Sequence, residues 1–301
     1  MRVALTLLVF LLAAAPAAAG EVVVSKRGGG ASRKNSIEDF WTRERVANAR
    51  PLRLVRDEDG DAELRLGGTG DRNHPSPFES GPVSDPAAPP NTINGKLLGK
   101  IKGVGKYECS ATSVDAGNRN LIFTAGHCVA EPFNRELATK LAFIPSYDSG
   151  DRPYGTWVFD RIVVLRAWRR NSNFNYDFAA VEMSPQSGVN LEDAVGGAPV
   201  ATNVPVEQEY HSVGYPSNFS GGRVMRYCLG PFDGYDPRPT GNGPTPIATG
   251  CDMGAGASGG GWFVNGHLAS VTSFGYEDHR NVSYGPYFGN KARQVYEAGS
   301  T

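Results

Sequence analysis

Beyond its first twenty residues the chain has no apolar run long enough to cross a membrane, so no transmembrane helix is expected in the mature protein. Charge of one sign is also missing. The 30 Lys+Arg are balanced by 31 Asp+Glu, and without a basic field a nucleic-acid partner is not expected. Cysteine is scarce. Four cysteines are too few for a disulfide-dense miniprotein. There is no C-x-x-C pair and no paired histidines, so neither a metal site nor a cofactor is expected. Long helical periodicity is absent as well, which excludes a bundle or a coiled coil. Glycine and proline are abundant instead, at 38 and 21 of 301 residues, and they cut the chain into short segments.

The N-terminus reads as an export signal. Arg2 precedes the apolar run 3–15, broken only by Thr6, and Ala17-Ala18-Ala19 supplies a small-residue exit. Cleavage is expected after Ala19, giving a secreted protein, extracellular or periplasmic, in a compartment that lets disulfides form. Composition then shifts near residue 90. Residues 20–90 carry 23 charged side chains in 71 positions, against 37 in the 211 that follow. This stretch also holds Gly28-Gly29-Gly30, the run Asp57-Glu58-Asp59 and a proline-rich segment over 76–90. It is expected to be loosely ordered, a pro-segment and linker, with one short helix or strand over 43–56.

From residue 91 to 301 the pattern is β. Short β-branched or aromatic runs fall at 97–104, 109–114, 121–124, 141–145, 156–165, 177–183, 209–214, 224–229, 262–264 and 268–274. Asn265-Gly266 between two of these runs is a two-residue hairpin signal. Ten short strands in about 200 residues indicate paired barrels or a sandwich. Helix is expected only at 125–130 and 291–298.

Three segments carry chemistry. Ser258 stands in Gly254-Ala255-Gly256-Ala257-Ser258-Gly259-Gly260-Gly261. A serine hydroxyl needs a base to become a nucleophile, and glycines let backbone approach the reacting carbonyl. His127, one of five histidines, stands in Thr124-Ala125-Gly126-His127-Cys128 after an apolar strand. Asp177 opens Asp177-Phe178-Ala179-Ala180-Val181, and an acid entering an apolar strand calls for a partner such as a histidine N–H. The chain order is His127, Asp177, Ser258. It argues against an α/β-hydrolase, in which acid and histidine follow the serine. The βαβ alternation of a parallel sheet is also missing.

Taken together, these segments and the Cys251-Asp252-Met253 lead-in resemble chymotrypsin-like (trypsin-fold) serine peptidases, in particular a secreted bacterial branch that includes glutamyl-endopeptidase-like enzymes. The resemblance covers residues 93–298. It implies an all-β fold of two six-stranded antiparallel barrels with a short C-terminal helix and a site in the cleft between them. It makes His127 the base, Asp177 its orienting acid and Ser258 the nucleophile. Gly256 and Ser258 would form the oxyanion hole through their N–H groups. Thr272-Ser273-Phe274-Gly275 would be the substrate-binding edge strand, with Ser273 also touching Asp177, and Asp252 and Gly285 would lie at the primary pocket. Four cysteines permit three pairings. In the family, cysteines placed like Cys109 and Cys128 are bridged, which leaves Cys228 to pair with Cys251.

Two departures bear on activation and specificity. Ala257 stands where the trypsin branch has the aspartate that binds a freed N-terminus, so that ion pair cannot form. Thr272 stands where glutamyl-specific relatives carry a histidine, and the loop around Asp252 differs from the Arg- and Lys-selective pattern, so the residue preference is left unassigned. The expected activity is endopeptidase cleavage of a polypeptide by a monomer. A catalytically silent peptide-binding protein and an esterase on the same fold are the alternatives.

Overall fold

The structure, a computed structural model, describes residues 22–25, 31–67 and 78–301. The expected signal, residues 1–19, lies outside the described residues. The N-terminal stretch contributes β1 (Val22–Val24), α1 (Ala31–Glu38), α2 (Arg43–Ala47), β2 (Arg50–Arg56), β3 (Ala62–Leu66) and β4 (Glu79–Pro82). Then come β5 (Asn94–Ile101), β6 (Gly105–Val114), β7 (Leu121–Thr124), β8 (Thr139–Pro145), β9 (Trp157–Leu165), α3 (Arg166–Asn171), β10 (Ala179–Met183) and α4 (Leu191–Val195). The remainder is β11 (Glu209–Gly214), β12 (Arg226–Tyr235), β13 (Ile247–Gly250), β14 (Gly261–Val264), β15 (His267–Val271), β16 (Phe274–Tyr276), β17 (Val282–Gly285) and α5 (Asn290–Gly299).

Strands β5 to β10 close on themselves. β5 pairs with β6, β6 with β7, β7 with β10, β10 with β9, β9 with β8, and β8 returns to β5, every pair antiparallel. Closure removes the sheet edges that would otherwise recruit another chain. Leu97, Phe123, Leu141, Phe143, Val163 and Val181 are fully buried in this half, each contributing about 1.5–3 kcal/mol by leaving water. The later strands run in the order β15, β14, β11, β12, β13, β17, β16, again antiparallel. The Asn265-Gly266 turn joins β14 to β15 with both residues at positive φ, 50° and 79°, the backbone that a tight hairpin requires. α5 closes the chain, burying Ala292 and Val295.

The described part of the charged N-terminal stretch, residues 22–25, 31–67 and 78–90, departs from the loose order expected of it, while Gly28-Gly29-Gly30 lies outside the described residues. Helix α2 and strand β2 both form within 43–56, and Leu52, Leu54 and Trp41 are buried. β2 pairs antiparallel with β3 and parallel with β16, in the register Leu54 to Phe274. β4 pairs antiparallel with β12. Composition misleads here because it counts charges without asking where they go. In Arg50-Pro51-Leu52-Arg53-Leu54-Val55-Arg56, Leu52 and Leu54 face the body of the protein, and the edge of β16 supplies the backbone partners a lone strand lacks. Two other expectations are refined. The run at 268–274 is two strands, β15 and β16, and the helix expected at 125–130 is a single 3-10 turn, Gly126–Cys128.

Candidate active site

His127 lies on the 3-10 turn that follows β7, and Asp177 lies between another such turn, Phe174–Tyr176, and β10. The two strands pair in the register Thr124 to Ala179, which brings two residues fifty positions apart side by side. The Asp177 carboxylate accepts two hydrogen bonds from His127. The backbone N–H reaches Oδ1 at 2.7 Å, and ring Nδ1 reaches Oδ2 at 2.7 Å. Ser273 Oγ donates a third, to Oδ2. His127 and Asp177 are both fully buried. A carboxylate acceptor fixes the proton on Nδ1 and leaves Nε2 with its lone pair free. Nε2 is buried and has no hydrogen-bond partner among the described residues.

Ser258 comes from the later half of the chain, in the glycine-rich loop between β13 and β14. Its backbone is held against β6, where the Ser110 N–H donates to the Ser258 carbonyl at 2.7 Å. Gly259 sits at φ +80°, and a Cβ there would come within 2.0 Å of Thr124 Oγ1, so this crossing of the two halves requires glycine. The disulfide Cys109–Cys128 ties β6 to the histidine turn, and Cys228–Cys251 ties β12 to the lead-in of the serine loop.

The space in front of Ser258 is taken by the protein's own chain. Leu52 of β2 turns its carbonyl oxygen toward the glycine loop. It accepts from the Gly256 N–H at 3.0 Å and from Ser258 Oγ at 3.3 Å. The serine hydroxyl is therefore spent on a carbonyl oxygen rather than on His127. Gly256, at φ +92°, aims its N–H into this spot, and a Cβ there would strike the Tyr215 carbonyl at 2.6 Å.

A pocket beside Ser258 is lined by Asp252, Thr272 and Ser283, with Ser273, Phe274 and Gly275 on its edge-strand wall and Arg53 of β2 at its side. The Asp252 carboxylate accepts from Ser80 Oγ at 2.8 Å. Thr272 Oγ1 accepts from Trp262 Nε1 at 2.9 Å. Val282 and Ser283 supply the wall that β17 presents, while Gly285 lies farther along that strand against Ser270 and Val271. Three participants are not indicated by the sequence reading: Leu52, Val282 and Ser283. The alternation of 50–56 is a usable signal for the first. The other two follow only from the pairing of β17 with β13 and β16.

Among the described residues no helix is long and apolar enough to cross a membrane. Residues 89–292 match the family model described as "Trypsin". A thermostable serine protease, AL20, from an extremophilic microorganism is 32% identical with a TM-score of 0.65, the match covering 69% of this chain and 97% of that one. The protease Anisep from Arthrobacter nicotinovorans is 31% identical with a TM-score of 0.63, covering 69% and 95%. A Glu endopeptidase structure, 18% identical with a TM-score of 0.59 over 78% of this chain and 99% of its own, shares the fold. A Bacillus subtilis protein described as an extracellular metalloprotease is 26% identical over 110 residues, 36% of this chain and only 34% of that protein's length. The chain belongs to the trypsin family of serine proteases.

Proposed function

We propose that this chain is an exported serine endopeptidase that acts through His127, Asp177 and Ser258 and is held latent by its own N-terminal segment. The observation that carries the reading is the buried Asp177 carboxylate bonded to His127 Nδ1, which leaves a bare Nε2 in a turn bridged to the strand that packs on the Ser258 loop. We read strands β11 to β17 as the second barrel of the family fold, with the cleft between it and the closed barrel. The two disulfides agree with an oxidising compartment.

In the free enzyme Ser258 Oγ attacks a peptide carbonyl carbon while His127 Nε2 takes its proton. The C–N bond then breaks as the imidazolium returns that proton to the leaving amine. Water, deprotonated by the same nitrogen, hydrolyses the acyl-enzyme and restores the hydroxyl. Asp177 holds the ring in the useful tautomer and stabilises its cation. The Gly256 and Ser258 N–H groups receive the oxyanion, each donor worth about 3 kcal/mol of barrier. The edge strand 272–275 pairs with the extended substrate backbone. The polypeptide is taken to be cut by a monomer.

Residues 1–19 would be the signal, 20–90 the pro-segment and linker, and 91–301 the catalytic domain. Leu52 marks why the segment has to leave, because its carbonyl holds both the Gly256 donor and the Ser258 hydroxyl. Digestion of a protein substrate tests the reading. The processed form is expected to cleave internal bonds, its Ser258→Ala variant to cleave none, and the full-length chain to be far slower. Turnover of short esters without protein cleavage would make it an esterase, and binding without turnover would make it a silent binding protein.

A further inference from the structure

The cleft-blocking strand carries a second feature, four residues beyond Leu52. Arg56 is almost wholly buried. Its guanidinium carbon stands 5.2 Å from the centroid of Phe174, 5.3 Å from Phe274 and 5.2 Å from Tyr276. Nη1 donates to Asp236 Oδ2 at 2.7 Å, Nη2 to the Arg238 carbonyl at 2.6 Å, and Nε to the Gly60 carbonyl at 3.1 Å. The Asp236 side chain is fully buried. Its other oxygen, Oδ1, is already satisfied by the Tyr276 hydroxyl and by the Arg238 N–H at 3.0 Å. Burial, and then this bond to Asp236, push the Tyr276 phenol above its ordinary range, so it stays a donor.

Apart from Gly60, every group that receives Arg56 belongs to the part of the chain outside 20–90. When the segment leaves, Phe174, Phe274 and one carboxylate oxygen lose their cation together, while Tyr276 keeps the Arg238 guanidinium 4.6 Å from its ring centroid. Oδ1 keeps the Tyr276 hydroxyl and the Arg238 N–H, but Oδ2 loses its donor, and a buried carboxylate that loses its bonded counter-ion is costly. The vacated space has the chemistry of a planar, forked cation rather than of a compact ammonium. Two acceptors each take a different guanidinium nitrogen, and three aromatic rings stand 5.2–5.3 Å from its carbon. The site also sits where a substrate passes. Phe274 lines the pocket beside Ser258, Tyr276 is paired with Arg56 itself, and four strand residues span about 13 Å.

We propose that Asp236, Tyr276, Phe174, Phe274 and the Arg238 carbonyl form a substrate subsite for an arginine side chain two to four residues from the scissile bond, for which Arg56 is the placeholder. The proposal rests on the reading of residues 20–90 as a removable segment of a peptidase.

The cage can be tested without turnover. In the intact full-length chain, Arg56→Ala vacates it. Calorimetric titration of that variant with N-ethylguanidinium is expected to show one site and a rise in Tm. Ethylammonium should bind about tenfold or more weakly, and wild type, whose cage is filled, should show no such site. Arg56→Ala combined with Asp236→Asn should lose the site. A folded variant that ignores ethylguanidinium overturns the proposal. So does one that binds it equally well after Asp236→Asn has removed the carboxylate. Should Arg56→Ala not fold, the peptide measurements decide alone.

Those measurements use the processed wild-type protein and fluorogenic peptides that carry arginine or its uncharged isostere citrulline at each position around the cut. At one position, two to four residues from the scissile bond, arginine is expected to raise kcat/KM about thirtyfold or more over citrulline, and Asp236→Asn to erase the difference. Equal rates at every position overturn the subsite. If no peptide is turned over and Ser258 takes no phosphonate label, the peptidase reading fails, while the ethylguanidinium titration still judges the cage.

Discussion

On the proposed reading, latency turns on how firmly β2 is held over Ser258, and Leu54 is the side chain to perturb. It is fully buried, lies opposite Phe274 in the parallel pairing and lines the pocket beside Ser258. Truncating a buried leucine to alanine costs about 2–5 kcal/mol, and 3 kcal/mol is about 150-fold in the ratio of docked to undocked segment. The intact Leu54→Ala chain is therefore expected to hydrolyse a small ester about 100-fold faster than the intact wild type, up to the ceiling set by the processed form. Steady-state ester hydrolysis measures this, with mass spectrometry of the same samples to confirm that the chain is uncut. The reasoning is refuted if intact wild type already matches the processed form. It is equally refuted if a folded, intact Leu54→Ala chain is no faster.

The remaining predictions concern chemistry and stability. Asp177→Asn is expected to lower kcat of the processed form about 10⁴-fold by leaving the imidazole in the wrong tautomer. Ser273→Ala removes only one of three hydrogen bonds on that carboxylate and should cost about tenfold; stopped-flow and steady-state rates give both. Replacing Cys228 and Cys251 with serine opens a bridge of sequence separation 23, worth about 3 kcal/mol, and should lower Tm by about 6–12 °C in a calorimetric scan. Lys96 and Glu108 form a buried ion pair at 2.7 Å, with Tyr147 facing the ammonium. Burial pulls Lys96 down and pushes Glu108 up, and their mutual attraction opposes both shifts. Glu108→Gln strands the lysine and is expected to cost about 3–5 kcal/mol in urea unfolding, much of it recovered when Lys96→Met is added.

Much of the site is legible because its chemistry is written in short segments. The histidine turn, the acid that opens an apolar strand and the glycine-rich serine loop each have a residue-level reason, and their order along the chain separates this fold from its rival. The Asn265-Gly266 hairpin is legible for the same reason, since positive φ at two successive positions selects these residues. Strands β13 and β17 are harder. Ile247-Ala248-Thr249-Gly250 is too short and too small to signal a strand, and only its pairing with Val282–Gly285 defines it. The order of the N-terminal stretch is hidden because it comes from a surface distant in sequence. Leu52 and Leu54 find their partners near residues 256 and 274, and Arg56 finds Asp236.

The central claim is that Ser258 is activated by the Asp177-bound His127 and covered by β2. The most direct measurement is the rate at which a fluorophosphonate forms a covalent adduct, located by mass spectrometry of the peptide that contains Ser258. The account predicts rapid, stoichiometric labelling of Ser258 in the processed form and much slower labelling of the intact chain. Ser258→Ala should take no label, and His127→Ala should label far more slowly than wild type. An adduct on another residue, or a Ser258 that labels equally fast without His127, would contradict it.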